Sequence, residues 1–296
     1  MLIVDKLVQA ENFSKGEELI AEFIIQLGER IEFYSAREIA KETYSSPATV
    51  LNLCKKIGIN GYNNFKKQYL KEFKYINQQF GSVSANMPFD KNDNAVVIVN
   101  KITSLYLETI NDTQSIMNFE HLKKSVFEIA KSRSVHLYSY GTALNSAESF
   151  KEKMIKIGKP VYISSNLNYQ KYEVNTLSSD DFVIFISYTG ETKSIIEMAK
   201  TCLRKGIPFL TITSFGGNSL CTISNLNLYI STRENLNRNI ANFTSNLSIN
   251  FILDLLFSNY FALDYEKNYK YKLASIEKFE SNRSSTNQIL IGDDEI

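Results

Sequence analysis

Three hydroxyl side chains, Ser187, Thr189 and Thr192, surround Gly190 where five apolar residues, Phe182 to Ile186, give way to an amphipathic run. The apolar stretch has the length and composition of a strand buried on both faces of a parallel sheet. From Glu191 to Lys205 the apolar positions Ile195, Ile196, Ala199 and Leu203 recur at helical spacing, so the loop opens a helix. A helix N-terminus presents unpaired N–H groups and the positive end of its dipole, which favours an anion there. Gly190 permits a tight turn and close backbone approach. The loop lacks the lysine of a G-x-x-x-x-G-K-[ST] loop, which argues for a phosphate held by hydroxyls and backbone and against a nucleotide site. An ordinary Ser/Thr cap is the plainer alternative. Three hydroxyls at one strand-to-helix turn favour the ligand.

A second chemistry lies near the other end. Ala36-Arg-Glu-Ile-Ala40, a short turn and Ser46-Pro-Ala-Thr-Val50 have the spacing of a helix-turn-helix. Ser46 and Pro47 start the second helix, whose Val50, Leu53 and Ile57 face inward. Its other face carries Pro47, Thr49, Asn52, Lys55 and Lys56. Residues 41–75 hold seven lysines against two acids in a chain of net charge +1. Clustered lysines around such a motif are the footprint of contacts to the phosphates of double-stranded DNA, the alternative being a solvated face of a helical bundle. Thr49 and Asn52 are expected at base edges, with Lys55, Lys56 and Lys66 on phosphates.

The two sites need different scaffolds. Residues 1–76 read as successive helices: one capped by Ser14, one at 36–43 with Glu38 completing a capping box on Ser35, one from Pro47 to Ile57, and one through Phe65 to Phe73. Residues 77–94 are rich in turn formers and form a linker. From 95 to 280 strands alternate with helices, after a helix at 95–117 whose buried face comprises Val99, Ile102, Leu105, Tyr106 and Ile110 and a second at 119–131. The strands fall at 135–138, 161–163, 182–186, 209–212 and 228–230, and a long apolar helix at 239–263 closes the domain. The fold class is an all-α helix-turn-helix domain followed by an α/β domain with a five-stranded parallel sheet. Residues 281–296 read as a frayed tail.

The 44% apolar and 22% charged residues suit a soluble globular protein. Cys54, Cys202 and Cys221 show no C-x-x-C spacing, so reduced thiols are expected and a zinc site is not. The start Met1-Leu-Ile-Val-Asp5 is no signal peptide, and no apolar run approaches the about 20 residues that cross a bilayer. The expectation is a cytoplasmic protein with no membrane partner, metal or cofactor.

The two halves together resemble a known family. Ile39-Ala40, Ser46-Pro-Ala-Thr-Val50, Lys55-Lys-Ile-Gly58 and Gly61-Tyr-Asn-Asn-Phe-Lys66 are similar to the N-terminal domain of RpiR-type bacterial transcriptional regulators. Tyr140-Gly-Thr-Ala143, Phe150 to Gly158, Ser187-Tyr-Thr-Gly-Glu-Thr192, Gly206 to Thr213 and Ile252 to Phe257 resemble the sugar isomerase (SIS) domain of those regulators. The resemblance implies a dimer or higher homo-oligomer whose SIS domain senses a phosphosugar effector and which regulates genes of sugar metabolism. It places phosphate-binding hydroxyls on Ser187, Thr189 and Thr192, with the backbone of Tyr188 and Gly190 beside them. Gly141 and Thr142 match the first loop, but the usual serine is Ala143, and Asn145 is the expected substitute contact. A histidine common in the family falls near Asn168, and Asn52 replaces a common arginine. Asparagine pairs bidentately with adenine, so the operator is expected to differ from the usual.

SIS domains also occur in phosphosugar isomerases, the alternative function. Aldose–ketose isomerisation needs a base for a carbon-bound proton and usually a histidine to open the ring. His136 falls within a strand and His121 on a helix, while Glu148, Glu152 and Glu173 are the carboxylates within expected reach. No catalytic residue is assigned, and the reading is of a regulator that is not an enzyme.

Overall fold

The computed structural model describes residues 2–10, 12–77, 83–164, 166, 168–282 and 284–287. Residues 78–82 of the expected linker and 283 and 288–296 of the expected tail lie outside the described residues.

The head is built from α1 (Ile3–Gln9), α2 (Lys15–Leu27), a 3-10 segment (Gly28–Phe33), α3 (Ala36–Glu42), α4 (Pro47–Lys56) and α5 (Tyr62–Asn77). Local chemistry starts these helices where the serines stand. The Glu38 carboxylate accepts the Ser35 N–H at 2.7 Å while Ser35 Oγ accepts from Glu38, closing a capping box. Ser46 Oγ accepts the Thr49 N–H at 3.1 Å ahead of Pro47 at the first helical position. The core joins Ile20, Ile24, Ile39, Val50, Leu53, Phe65 and Tyr69. Ile3 and Leu7 of α1, an addition to the expected elements, plug the same core.

The second domain runs α6 (Ala95–Ser115), α7 (Phe119–Lys131), β1 (Ser134–Tyr138), α8 (Ala143–Ile155), β2 (Val161–Ile163), α9 (Gln170–Thr176) and β3 (Asp181–Ser187). It continues through α10 (Lys193–Lys205), β4 (Phe209–Ser214), α11 (Ser219–Ile223), β5 (Asn227–Ile230), α12 (Phe243–Ala262) and α13 (Tyr265–Phe279). The strands form one parallel sheet in the order β2-β1-β3-β4-β5. Every residue of β3 is buried, as its unbroken apolar run requires. One face of the sheet packs on Val126, Phe150, Ile252 and Leu256, the other on Val174, Ile195, Met198 and Leu220. In this order the chain reverses its winding between β1 and β3, so the crevice beyond their carboxyl ends is the place for a ligand.

Three expectations need correction. The buried face of α6 is not the apolar stripe: Val99 is 63% exposed and Tyr106 38%, whereas Thr109, Asp112 and Thr113 are buried beside Leu105. Small hydroxyl residues let α6 approach α12, and Thr113 Oγ1 donates to Ser248 Oγ at 2.9 Å. The closing helix starts at Phe243, not 239, because the Glu234 carboxylate accepts the Thr244 and Ser245 N–H groups there, while the Ile240 N–H is held by Asn86 O at 2.9 Å. Finally, α11 and α13 add to the expected elements.

Candidate functional site

A cleft of about 270 Å³ opens at the β1/β3 crevice. Its first wall is the β1–α8 loop with Tyr140, Gly141 and Thr142, and its second is the β3–α10 loop with Ser187, Tyr188, Thr189 and Thr192. The segment before α12 closes it with Glu234, Asn235, Leu236, Asn239 and Asn242, joined by Asn246 of α12.

The hydroxyl loop is built as its residue types suggest. Gly190 turns at φ +67°, and its N–H donates to Ser187 O at 3.1 Å. A Cβ there would lie 2.1 Å from Asn218 Oδ1, so only glycine fits. Ser187 and Thr192 hydroxyls meet at 3.0 Å, and Thr189 Oγ1 accepts the Glu191 N–H. Thr192 stands at the N-cap of α10 and makes no side-chain cap bond, leaving the first amides of the helix for a ligand. Thr142 stands at the N-cap of α8 and likewise makes no side-chain cap bond, but there the Leu144 and Asn145 N–H groups donate to Gly141 O at 3.2 Å and Thr142 O at 3.0 Å, so backbone carbonyls already close that terminus. The N-terminus of α12 also points here, but Glu234 already occupies it. Three helix termini therefore converge on one cleft: α10 with open amides, α8 closed by its own loop carbonyls, and α12 filled with a carboxylate. The Tyr188 hydroxyl donates to Glu234 O at 2.6 Å, tying the second wall to the third. Burial pushes the Tyr188 phenol far above its ordinary range, so it stays neutral.

The structure gathers Gly141, Thr142, Ser187, Tyr188, Thr189 and Thr192 on this cleft, with Gly190 shaping the loop behind them. Asn145 is not brought in: it lies about 200° around α8 from cleft-lining Ala143 and is exposed. Asn246 of α12 takes the place expected for it, accepting from Thr142 Oγ1 at 3.0 Å. Asn168 sits in a turn outside the cleft lining. Nor do the expected carboxylates reach it. Glu148 pairs with Lys151 and Glu152 with Lys156 on the surface, while Glu173 accepts from Ser164 and lines a separate cavity beside His136 and Tyr138. Glu234 and the asparagines of 235–246 were hidden because the segment reads as the start of a helix; its five asparagines in twelve residues were the available signal.

In the head, Val50, Leu53 and Ile57 are buried as expected. Pro47, Ala48, Leu51, Asn52 and Lys55 are exposed along α4, so Ala48 and Leu51 join the outward stripe. Ser46 and Thr49 spend their hydroxyls on each other at 2.9 Å. Lys56 is drawn off the stripe, because buried Glu17 accepts from its Nζ at 2.6 Å and Asn12 O at 2.9 Å. Burial raises the Glu17 carboxyl, but Lys56 and the Ser14 donors outweigh it and hold the group below its usual range. Lys66 caps carbonyls of Glu32 and Tyr34 at 3.1 and 3.2 Å. It still borders a groove with Arg37, Asn63 and Asn64, where the N-termini of α3 and α5 open. Lys71, part of the lysine cluster, instead sits 5.2 Å from the Phe215 ring of the second domain.

The fold is thus a helix-turn-helix head followed by a doubly wound sheet with a cleft at the open α10 terminus. Residues 1–75 match the helix-turn-helix domain of the rpiR family and residues 128–259 match the SIS domain. The chain belongs to the RpiR-type family of transcriptional regulators. It is 26% identical over 253 residues to the HTH-type transcriptional regulator YbbH of Bacillus subtilis, covering 85% of this chain and 87% of that one. Its fold is similar to that of Vibrio vulnificus NanR, solved with ManNAc-6P, at TM-score 0.60 and 19% identity over 95% of this chain and 99% of that one. A putative sugar-phosphate isomerase of Listeria monocytogenes shares the fold at TM-score 0.54 and 15% identity, over 62% of this chain and 98% of that one.

Proposed function

We propose that the SIS domain of this regulator binds a sugar phosphate at the α10 terminus without converting it, and that occupancy sets the affinity of the head for its operator. The observation that carries the reading is the open N-terminus of α10, ringed by Ser187, Thr189 and Thr192 and faced by Thr142 across the cleft. The fold neighbour NanR, solved with ManNAc-6P, supports it. An isomerase reading lacks its chemistry in the cleft. His121 is spent on the Asn227 backbone at 3.1 Å and His136 lines the other cavity. Glu234 is engaged by two amide donors, and no histidine, cysteine or lysine lines the cleft among the described residues. The head would place the Ala48, Leu51, Asn52 and Lys55 stripe in the major groove, with Ser46, Pro47 and Thr49 at its entry.

The functional unit is a homodimer acting in the cytoplasm. Beyond its buried Ile249, Ile252 and Leu256, α12 carries half-buried Phe243, Leu247, Phe251 and Phe257, and exposed Val96, Val99 and Leu107 on α6 add apolar surface that a second copy would cover. No helix among the described residues is long and apolar enough to cross a membrane. The test is a gel shift with DNA flanking the gene, with and without sugar phosphates, beside an NMR assay for their conversion. An effector-dependent shift with the sugar unchanged supports the proposal; conversion of the sugar contradicts it.

A further inference from the structure

The cleft carries a negative charge of its own. Glu234 is buried, fills the N-terminus of α12 and faces the same space as the open terminus of α10. Around it stand Asn235, Asn239, Asn242 and Asn246, neutral amides that each offer a donor and an acceptor. No lysine or arginine lines the cleft among the described residues. A phosphate has the open terminus of α10 and the hydroxyls around it to answer it. A second anionic group would meet Glu234 with no cation to offset it, in a site where the other two termini are taken.

We propose that the effector is a sugar monophosphate whose sugar end bears no further anionic group, and that Glu234 with the four asparagines makes this selection. The proposal rests on the phosphate reading of the α10 terminus. The amides suit vicinal hydroxyls or an acetamido group, which both donate and accept; an aldonic acid phosphate or a sugar bisphosphate presents charge that they cannot match.

Calorimetric titration of the full chain tests this with glucose, fructose and N-acetylhexosamine 6-phosphates against 6-phosphogluconate and fructose 1,6-bisphosphate. At least one neutral monophosphate is expected to bind, with both doubly anionic probes weaker by at least about tenfold. Asn239→Lys, a substitution at the cleft rim, supplies the missing cation and is expected to narrow that gap by about tenfold. Glu234→Gln is expected to act in the same direction, with a thermal melt confirming that it folds. A doubly anionic probe that binds the wild type as tightly as the neutral monophosphates overturns the selection and leaves the phosphate reading standing. Binding of none of the probes overturns both.

A separate observation concerns the chain between the domains. Asn86 joins the segment that closes the cleft through three hydrogen bonds: its Nδ2 donates to Arg233 O at 3.4 Å, its Oδ1 accepts the Asn235 N–H at 2.6 Å, and its carbonyl accepts the Ile240 N–H at 2.9 Å. Arg233 also donates to Val83 O at 2.9 Å, and Val83 and Ala85 are buried with Leu105 against Phe243. We infer that Asn86 transmits cleft occupancy to the linker, because Asn235 and Asn239 cannot close on a ligand without moving it. In Asn86→Ala the effector-induced change in DNA affinity is expected to fall at least about tenfold, with DNA affinity in the absence of effector kept. Asn86→Asp, which retains the acceptor for Asn235, is expected to keep part of the response. A full response in Asn86→Ala, measured on a variant whose effector binding and melt match the wild type, overturns the inference. If Asn86→Ala melts early, a full response in Asn86→Leu serves the same purpose.

Discussion

Replacing Thr192 by valine removes one hydroxyl from the start of α10 and keeps the side chain's volume and branching. That hydroxyl meets Ser187 Oγ at 3.0 Å and caps no amide of its own helix. The fold therefore loses one partly solvated hydrogen bond, a cost of about 1 kcal/mol. A phosphate loses a charge-assisted bond that contributes about 1.5–3 kcal/mol, which weakens Kd by about 10- to 140-fold. Ser187→Ala should cost a similar amount, and the double variant less than the sum, because both hydroxyls belong to one pair. Calorimetry with the responsive sugar phosphate measures the loss, and anisotropy of labelled operator shows that DNA affinity without effector is kept. Equal sugar-phosphate affinity in the wild type and Thr192→Val would refute the assignment of α10 as the phosphate site.

Asn52→Ala should relax sequence preference at a cost of about 1–3 kcal/mol on the specific site, and Lys55→Ala should weaken all DNA alike and reduce the salt slope by about one. Lys56→Met should change the salt slope less than Lys55→Ala but lower the thermal midpoint, since it strands buried Glu17; the reverse order would contradict the pairing. Gly190→Ala, forced to φ +67° against an Asn218 held by Thr213, Ser214 and Cys221, should destabilise by at least about 2 kcal/mol and abolish effector binding. Burial lowers the His136 pKa below 6.5 against the opposing pull of Asp181 and Glu173. The unfolded chain then takes up the proton first, so this contribution to stability is lost as pH falls from about 6.5 toward the folded value. His136→Gln should flatten that part of the melting curve's pH dependence, and an unchanged slope would show that the group does not titrate there.

Signals confined to a few neighbouring residues were legible in the sequence. Capping serines, the apolar run of β3 and the hydroxyl loop each depend on neighbours within a turn or two, and all appear where the residue types put them. Partners distant in the chain were not legible. Lys56 counts as a phosphate contact until Glu17, 39 residues away, claims it. The apolar stripe of α6 looks like a core face, yet the contact with α12 is made by Thr113 and Ser248, which no periodicity reports. Asn145 is the substitute the sequence offers for the missing serine, but helical geometry turns it away and Asn246, a hundred residues on, stands there. The third wall of the cleft escaped for the same reason: Glu234 stops the helix that the apolar pattern would have started earlier.

The most direct test of the central claim is the affinity of the purified chain for its operator, followed by anisotropy while neutral sugar monophosphates are titrated in, for the wild type and Thr192→Val side by side. The account predicts that at least one such sugar shifts the wild-type affinity, and that the variant, with unaltered affinity in its absence, needs about 10- to 140-fold more of it. Operator affinity that no sugar phosphate moves, or a shift that Thr192→Val shows at the wild-type concentration, would contradict it.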